Sequence, residues 1–249
     1  MRYPIRLAAV VLVCLIISCK KSGNSNSSAG QNRIKTYVEA VHGTAFDQTD
    51  TFNLGYDADG RLTSMTSTNL KFSYAYNGTS SFSLDLYENG HLSIHELALI
   101  KGGTVVDSTW QYNDSHDTTT EKYVFNGNVL TSKITFDYSG GLPFVQTQDN
   151  YSYDNNGNLV KDVQGDGTGA INSVTTYTYT NKAFQLAITP TYFPAQAKYL
   201  PATMTITDGS GNPTATVTYS YVFDSAGRVK QETDAANNGS SVIKSYIYY

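Results

Sequence analysis

His91 and His95, in the run HLSIHE, are the first residues whose type and spacing could do chemistry. They share a face on either a helix or a regular strand, and two imidazoles on one face could begin a zinc site. His95 and Glu96 also open the H-E-x-x-H sequence of a metalloprotease helix, but position 99 is Leu99. The pair therefore reads as surface histidines, and no metal is expected. DADGR (57–61) and DNNGN (154–158) place acids and amides at calcium-loop spacing. An EF-hand loop needs Gly sixth and Glu twelfth; counted from Asp154, Gly157 is fourth and Gly165 twelfth, so the pattern fails. The looser QGDGTG (164–169) reads as a flexible hairpin tip. There is no G-x-S-x-G elbow and no phosphate loop. The carboxylates concentrate in turns, where a glycosidase-like pair cannot be read from sequence. Trp110 and Tyr112 alternate in STWQY, and Tyr192 and Phe193 lie between Pro190 and Pro194. Such aromatics stack on sugars, anchor protein interfaces or fill cores. No cofactor is implied.

The elements that must position these residues are strands. From Ile34 onward the chain is rich in Thr, Tyr, Val and Ser, with Gly at turns, and apolar residues recur with period two. In TATVTYSYVF, Ala215, Val217, Tyr219, Tyr221 and Phe223 take one face and hydroxyl residues the other. Polar faces also recur at Lys71 and Ser73, at Ser81, Ser83 and Asp85, and at Thr131, Lys133, Thr135 and Asp137. An apolar inside and a hydroxylated outside belong to a water-facing antiparallel sheet. Strands are expected about every ten residues, interrupted over residues 181–198 by a proline-containing loop. IHELALI (94–100) fits a helical turn or a buried strand.

The stretch YDADGRL (56–62) returns as YDNNGNL (153–159) and FDSAGRV (223–229). Each reads aromatic–Asp–x–x–Gly–x–aliphatic. Asp57, Asp154 and Asp224 can accept hydrogen bonds from backbone two residues on, and Gly60, Gly157 and Gly227 can take the left-handed conformation that closes the turn. Shorter echoes occur at YENGHL (87–92) and FNGNV (125–129). These residues are read as structural turns. The fold expected is all-β: one long antiparallel meander of repeated hairpins, forming a curled sheet or incomplete barrel.

The repeat resembles the YD motif of the RHS class, although far fewer copies are present than an RHS shell needs. Residues 198–233, with Leu-Pro before a strand, a DGSGN hairpin and the FDSAGRV turn, resemble small Bacteroidota lipoproteins of an uncharacterised family described as having a porin-like fold. That resemblance implies a barrel-like envelope protein and brings no catalytic residues with it.

The N-terminal residues fit this setting. Residues 1–18 read as a leader: Arg2 and Arg6, then an apolar run to Ile17. IISCK resembles a lipobox, which implies cleavage before Cys19 and lipid on its thiol. Residues 19–33 are a lipidated, Ser/Asn/Gly-rich tether and residues 34–249 a single domain. The leader removes Cys14, and acylation uses Cys19, so thiol catalysis and cysteine-bound zinc are excluded by counting. Losing Arg2 and Arg6 takes 17 Lys+Arg to 15 against 21 Asp+Glu, a formal charge of −6 that argues against nucleic acid. Lys20 and Lys21 are not an inner-membrane retention signal, so the expected location is the outer membrane, facing the periplasm. The expected function is a non-catalytic structural or binding role, with a glycan or envelope protein as partner. The alternatives are an envelope glycan hydrolase and an outer-membrane β-barrel.

Overall fold

The computed structural model describes residues 33–43, 47–102, 105–113, 118–127, 129–138, 142–184 and 197–249. Residues 1–32, which hold the expected leader, Cys19 and most of the expected tether, and Tyr192 and Phe193 lie outside these residues. The described strands are β1 (Ile34–His42), β2 (Asp47–Tyr56), β3 (Leu62–Thr66), β4 (Leu70–Asn77), β5 (Ser81–Glu88), β6 (His91–Lys101), β7 (Val105–Asn113) and β8 (Thr118–Asn126). They continue as β9 (Val129–Asp137), β10 (Phe144–Tyr153), β11 (Leu159–Asp166), β12 (Ile171–Ala183), β13 (Tyr199–Asp208), β14 (Pro213–Phe223), β15 (Val229–Ala236) and β16 (Ser241–Tyr248). Each pairs antiparallel with the next, and β1 pairs with β16, so the meander closes into a barrel. Full pairing leaves no open sheet edge. The ambiguous residues 94–100 lie inside β6.

Alternation decides what fills the barrel. Tyr37, Phe52 and Tyr246 point inward and stack across the closing seam, with Tyr37 centroids 5.9 Å from Phe52 and 5.5 Å from Tyr246. Their neighbours Leu54, Leu62, Met65, Phe72, Leu200 and Val229 complete one core cluster, and Phe82, Ala98, Val106, Tyr123 and Leu130 form a second. The outer wall carries Lys71 and Ser73 on β4 and Ser81, Ser83 and Asp85 on β5. On β12, β13 and β14 it carries rows of threonine such as Thr178, Thr203 and Thr218.

Strand β9 departs from the expected orientation. Lys133 pairs with Tyr123 and Asp149, and Thr135 with Glu121, so Lys133, Thr135 and Asp137 face inward. Ile134 and Phe136 face outward instead. Thr131 is the extra residue in a bulge between Leu130 and Ser132. Inside the barrel Lys133 has carboxylate partners, which overrides the simple pattern of polar residues outside.

The turn repeat builds one rim. Hairpins β2–β3, β10–β11 and β14–β15 each connect an even strand to the following odd strand, so they share the rim at which β1 begins and β16 ends. Gly60, Gly157 and Gly227 have φ of 82°, 82° and 78°. In each, the glycine N–H donates to the carbonyl of the turn aspartate, and the following residue donates from its backbone to that carboxylate. A bulge then follows, and Leu62, Leu159 and Val229 turn into the core. Tyr76, Tyr179 and Tyr248 each donate a phenol hydrogen bond to the carbonyls of these three residues, at 2.8, 2.5 and 2.8 Å. Arg61 and Arg228 ion-pair with Asp57 and Asp224 at 2.7 Å while lying over the Tyr76 and Tyr248 rings at 4.6 and 4.2 Å. In the middle copy Asn158 replaces the arginine, and its side-chain oxygen accepts from the backbone of Lys198 and Tyr199. The recurring sequence therefore specifies a local clasp as well as a turn.

Candidate functional sites inside and outside the barrel

Two charged clusters interrupt the apolar interior. In the first, Lys244 on β16 lies 2.8 Å from Glu232 and 2.7 Å from Asp234, both on β15. Tyr37 donates to Glu39 beside them. In the second, Lys133 on β9 reaches Glu121 on β8 at 3.0 Å and Asp149 on β10 at 3.5 Å. Tyr123 donates to Glu121 at 2.6 Å, and Gln164 to Asp149 at 3.0 Å. Glu96 and Asp162 border this second cluster.

Each cluster holds more acid than base. Burial, and then the charge of Glu121, push the Glu96 carboxyl up to about 7. Burial, and then Asp149, raise Asp162 to about 7. Asp234 is raised chiefly by burial, against the pull of Lys244. One buried oxygen of Asp162 has no hydrogen-bond partner, as suits a carboxyl that keeps its proton; Asp234 also has one such oxygen, while its other is engaged by Lys244. Asp149 and Glu232 are only 4% and 5% exposed and are already engaged by Lys133, Gln164 and Lys244. A substrate would have to break those bonds, so the clusters read as internal struts.

A pH dependence follows from these shifts. In the unfolded chain such carboxyls ionise near pH ~4, whereas Glu96 and Asp162 hold their protons to about 7 in the fold. Between those values the fold binds more protons than the unfolded chain, so stability falls as pH rises and levels off above the folded values. On the acid side the turn aspartates act oppositely. Asp208, held low by the Asn212 amide and backbone N–H donors, loses its contribution when protonated. Thermal melts should therefore give a higher Tm at pH 5 than at pH 8; a Tm that rises over that interval would contradict the assignment.

The two histidines do not meet. His95 faces outward and bonds Asp85 at 2.5 Å. A bulge at Ser93 reverses the alternation, so His91, opposite Glu88, falls on the other face. A single extra residue at a hairpin base is invisible to a period-two reading. Among the described residues no cluster of three or more His, Cys, Asp or Glu is arranged to hold a metal ion.

Trp110 and Tyr112 both lie on the outer wall. Tyr112 is exposed beside His95, with ring centroids 6.3 Å apart. Trp110 pairs across β8 with Thr120, which pairs in turn with Phe136 on β9. The Tyr138 ring lies 6.0 Å from Trp110. Together with Ser108, Lys122 and Pro143 these residues line a groove of about 270 Å³. Its floor is Thr120, 7% exposed, whose hydroxyl is buried without a hydrogen-bond partner. Of these residues the sequence pointed only to Trp110. Phe136 was missed because β9 was assigned the opposite orientation, and Thr120 is one threonine among many.

No family model matches the chain, and no curated protein matches it either. Solved structures do. The fold is similar to that of a porin-like protein from Bacteroides uniformis, with a TM-score of 0.61 and 15% identity over 88% of this chain and 98% of that one. It is also similar to a porin-like protein from Bacteroides vulgatus, with a TM-score of 0.63 and 14% identity over 87% of this chain and 98% of that one. The protein thus has a porin-like β-barrel fold, fully closed where the sequence alone left an incomplete barrel open.

Proposed function

We propose that this is a lipid-anchored protein of the cell envelope whose barrel stands in water beside the membrane, with a non-catalytic structural or binding role. The observation that carries this reading is the distribution of side chains over the wall. A spanning barrel needs an apolar outer band about 25 Å tall. Here Lys71, Ser73, Ser81, Ser83, Asp85, Thr203, Thr205, Thr216 and Thr218 occupy outward positions, while tyrosine, phenylalanine and leucine fill the interior.

The anchor is inferred from Arg2, Arg6, the apolar run to Ile17 and the lipobox-like IISCK. Two or three acyl chains on Cys19 would hold the protein durably. The tether would leave from the rim that carries the Asp57 and Asp224 clasps, turning that rim toward the membrane. The absence of an acidic retention residue after Cys19 favours the outer membrane, and the absence of an acidic surface-export signal there favours its periplasmic leaflet. The test is the mature N-terminus: mass spectrometry should find acylated Cys19, and Cys19→Ala should abolish lipid labelling. A mature chain beginning at any other residue would overturn the anchor.

A second reading, an outer-membrane-spanning barrel, is favoured by the porin-like fold and by one apolar sector of the wall. That sector comprises Leu97 and Leu99 on β6, Trp110 and Tyr112 on β7, Val124 on β8 and Ile134 and Phe136 on β9. Val222 on β14 and Ile247 on β16 also face outward. Strands β4 and β5 carry the polar outward positions named above instead, so the apolar residues do not close into a belt around the barrel.

A further inference from the structure

We propose that the rim built by the Asp57, Asp154 and Asp224 turns docks on a membrane surface of anionic lipid headgroups, so that the barrel stands end-on to the bilayer. This deepens the reading of the protein as tethered beside a membrane and rests on it. The observation that carries it is a separation of charge along the barrel axis. Among the described residues in the turns, at their flanks or in the last three positions of a strand, the clasp rim holds nine Lys and Arg against five acids. The opposite rim holds one cation, Lys71, against six acids.

The positive charge is presented outward. Lys35, Lys101, Lys161, Lys182, Lys198 and Lys230 are all exposed. Lys198 lies over the middle clasp, its Nζ 3.7 Å from where a Cβ on Gly157 would stand, and the Arg33 guanidinium covers Gly60 in the same way. Lys182 reaches across to the Phe223 ring at 6.0 Å. The acids of this rim are turned to other work. Asp57, Asp154 and Asp224 accept from the backbone of their own turns, and Arg61, Asn158 and Arg228 bind their second carboxylate oxygens. The lysines around them therefore set the sign of the surface.

The position of this rim in the chain selects a lipid surface. Residues 1–32 join β1 here, so an acyl anchor on Cys19 draws this end toward the bilayer. Lys20 and Lys21 follow Cys19 directly and carry the same sign. A coil of the expected tether's length spans about 20 Å, which holds the rim near the headgroups at high effective concentration. Attraction acts only within a screening length of about 8–10 Å. A flat surface met end-on therefore feels the positive rim alone, and the acidic rim is repelled from it, which fixes the polarity. A free acidic polymer would meet a chain of formal charge −4.

The experiment adds the mature protein to vesicles of phosphatidylcholine alone or with phosphatidylglycerol, acetylates exposed lysines and reads each site by mass spectrometry. On the anionic vesicles, labelling of Lys161, Lys182, Lys198 and Lys230 should fall at least about threefold relative to the neutral ones, with Lys71 unchanged. Salt near 1 M, where screening shortens to about 3 Å, should restore it. Lys182→Gln, Lys198→Gln and Lys230→Gln together should remove the protection of Lys161 while circular dichroism stays unchanged. Flotation separates the rim from the anchor. A chain that floats with both vesicle types and labels identically on both would keep the anchor and overturn the rim. One that floats only with anionic vesicles would lose the anchor and keep the rim; one that floats with neither would lose both. Protection of Lys71 and Lys122 as strong as that of the rim lysines would mean a barrel embedded in the bilayer and overturn the end-on placement. Equal protection by soluble poly-glutamate would give the rim to an acidic protein and overturn the lipid assignment.

Discussion

Lys244→Met should destabilise the barrel by about 3–5 kcal/mol, the characteristic cost of removing one partner from a buried ion pair. Lys244 is the cation between Glu232 and Asp234, at 2.8 and 2.7 Å, and its own pKa is raised because the attraction of those two carboxylates outweighs burial. Methionine fills similar space but leaves two acids facing each other in the interior. Two features separate this cost from simple loss of packing. The defect should shrink at pH 5, where the orphaned acids can take up protons, and Lys244→Met with Glu232→Gln and Asp234→Asn should recover most of the stability. Urea unfolding at pH 7.5 and pH 5 measures both. A loss below about 1 kcal/mol, or one independent of pH, would show that the cluster does not brace the seam as described.

Gly209→Ala should cost about 1–3 kcal/mol through overpacking, more than its position in an exposed turn implies. An added Cβ there would lie 1.9 Å from the carbonyl oxygen of Ile171, a backbone atom that cannot swing aside. Gly167 stands in the same relation to Val145, with 2.2 Å available. Both follow the aspartate of a turn on the rim opposite the Asp57 and Asp224 clasps, where the hairpin tip leans over the strand that precedes the hairpin. Ala58, Asn155 and Ser225 hold the corresponding place in the clasped turns of the opposite rim. Gly211 provides the internal comparison. At φ +87° with open space around it, Gly211→Ala pays only for a left-handed alanine, about 1–2 kcal/mol. A Gly209→Ala cost within the ~0.5 kcal/mol of ordinary surface changes would refute the contact.

The strands were legible in the sequence because tyrosine, threonine and valine alternate so regularly, and because turn glycines separate them. Closure was not legible. The β1–β16 pairing joins Tyr37 to Tyr246, and nothing local to either strand signals that the sheet has curved far enough to meet itself. The errors at β9 and at His91 share a cause. One extra residue, Thr131 or Ser93, inverts which side chains point inward, and bulges depend on how a hairpin base packs rather than on composition. The inversion at β9 carries the greater consequence. It buries Lys133 among Glu121 and Asp149 and turns Phe136 outward to face Trp110, so the strand that broke the simple pattern supplies both an internal strut and one wall of the groove. Local rules tend to fail where a fold is committed to something besides stability.

The central claim is that the barrel wall faces water. Its most direct test is to express residues 34–249 without leader or tether, purify them without detergent, and record circular dichroism and size-exclusion elution. The account predicts a soluble, β-rich protein that elutes as a compact species and unfolds cooperatively. Recovery only in detergent micelles, with heat-modifiable migration on gels, would contradict it and establish a membrane-spanning barrel.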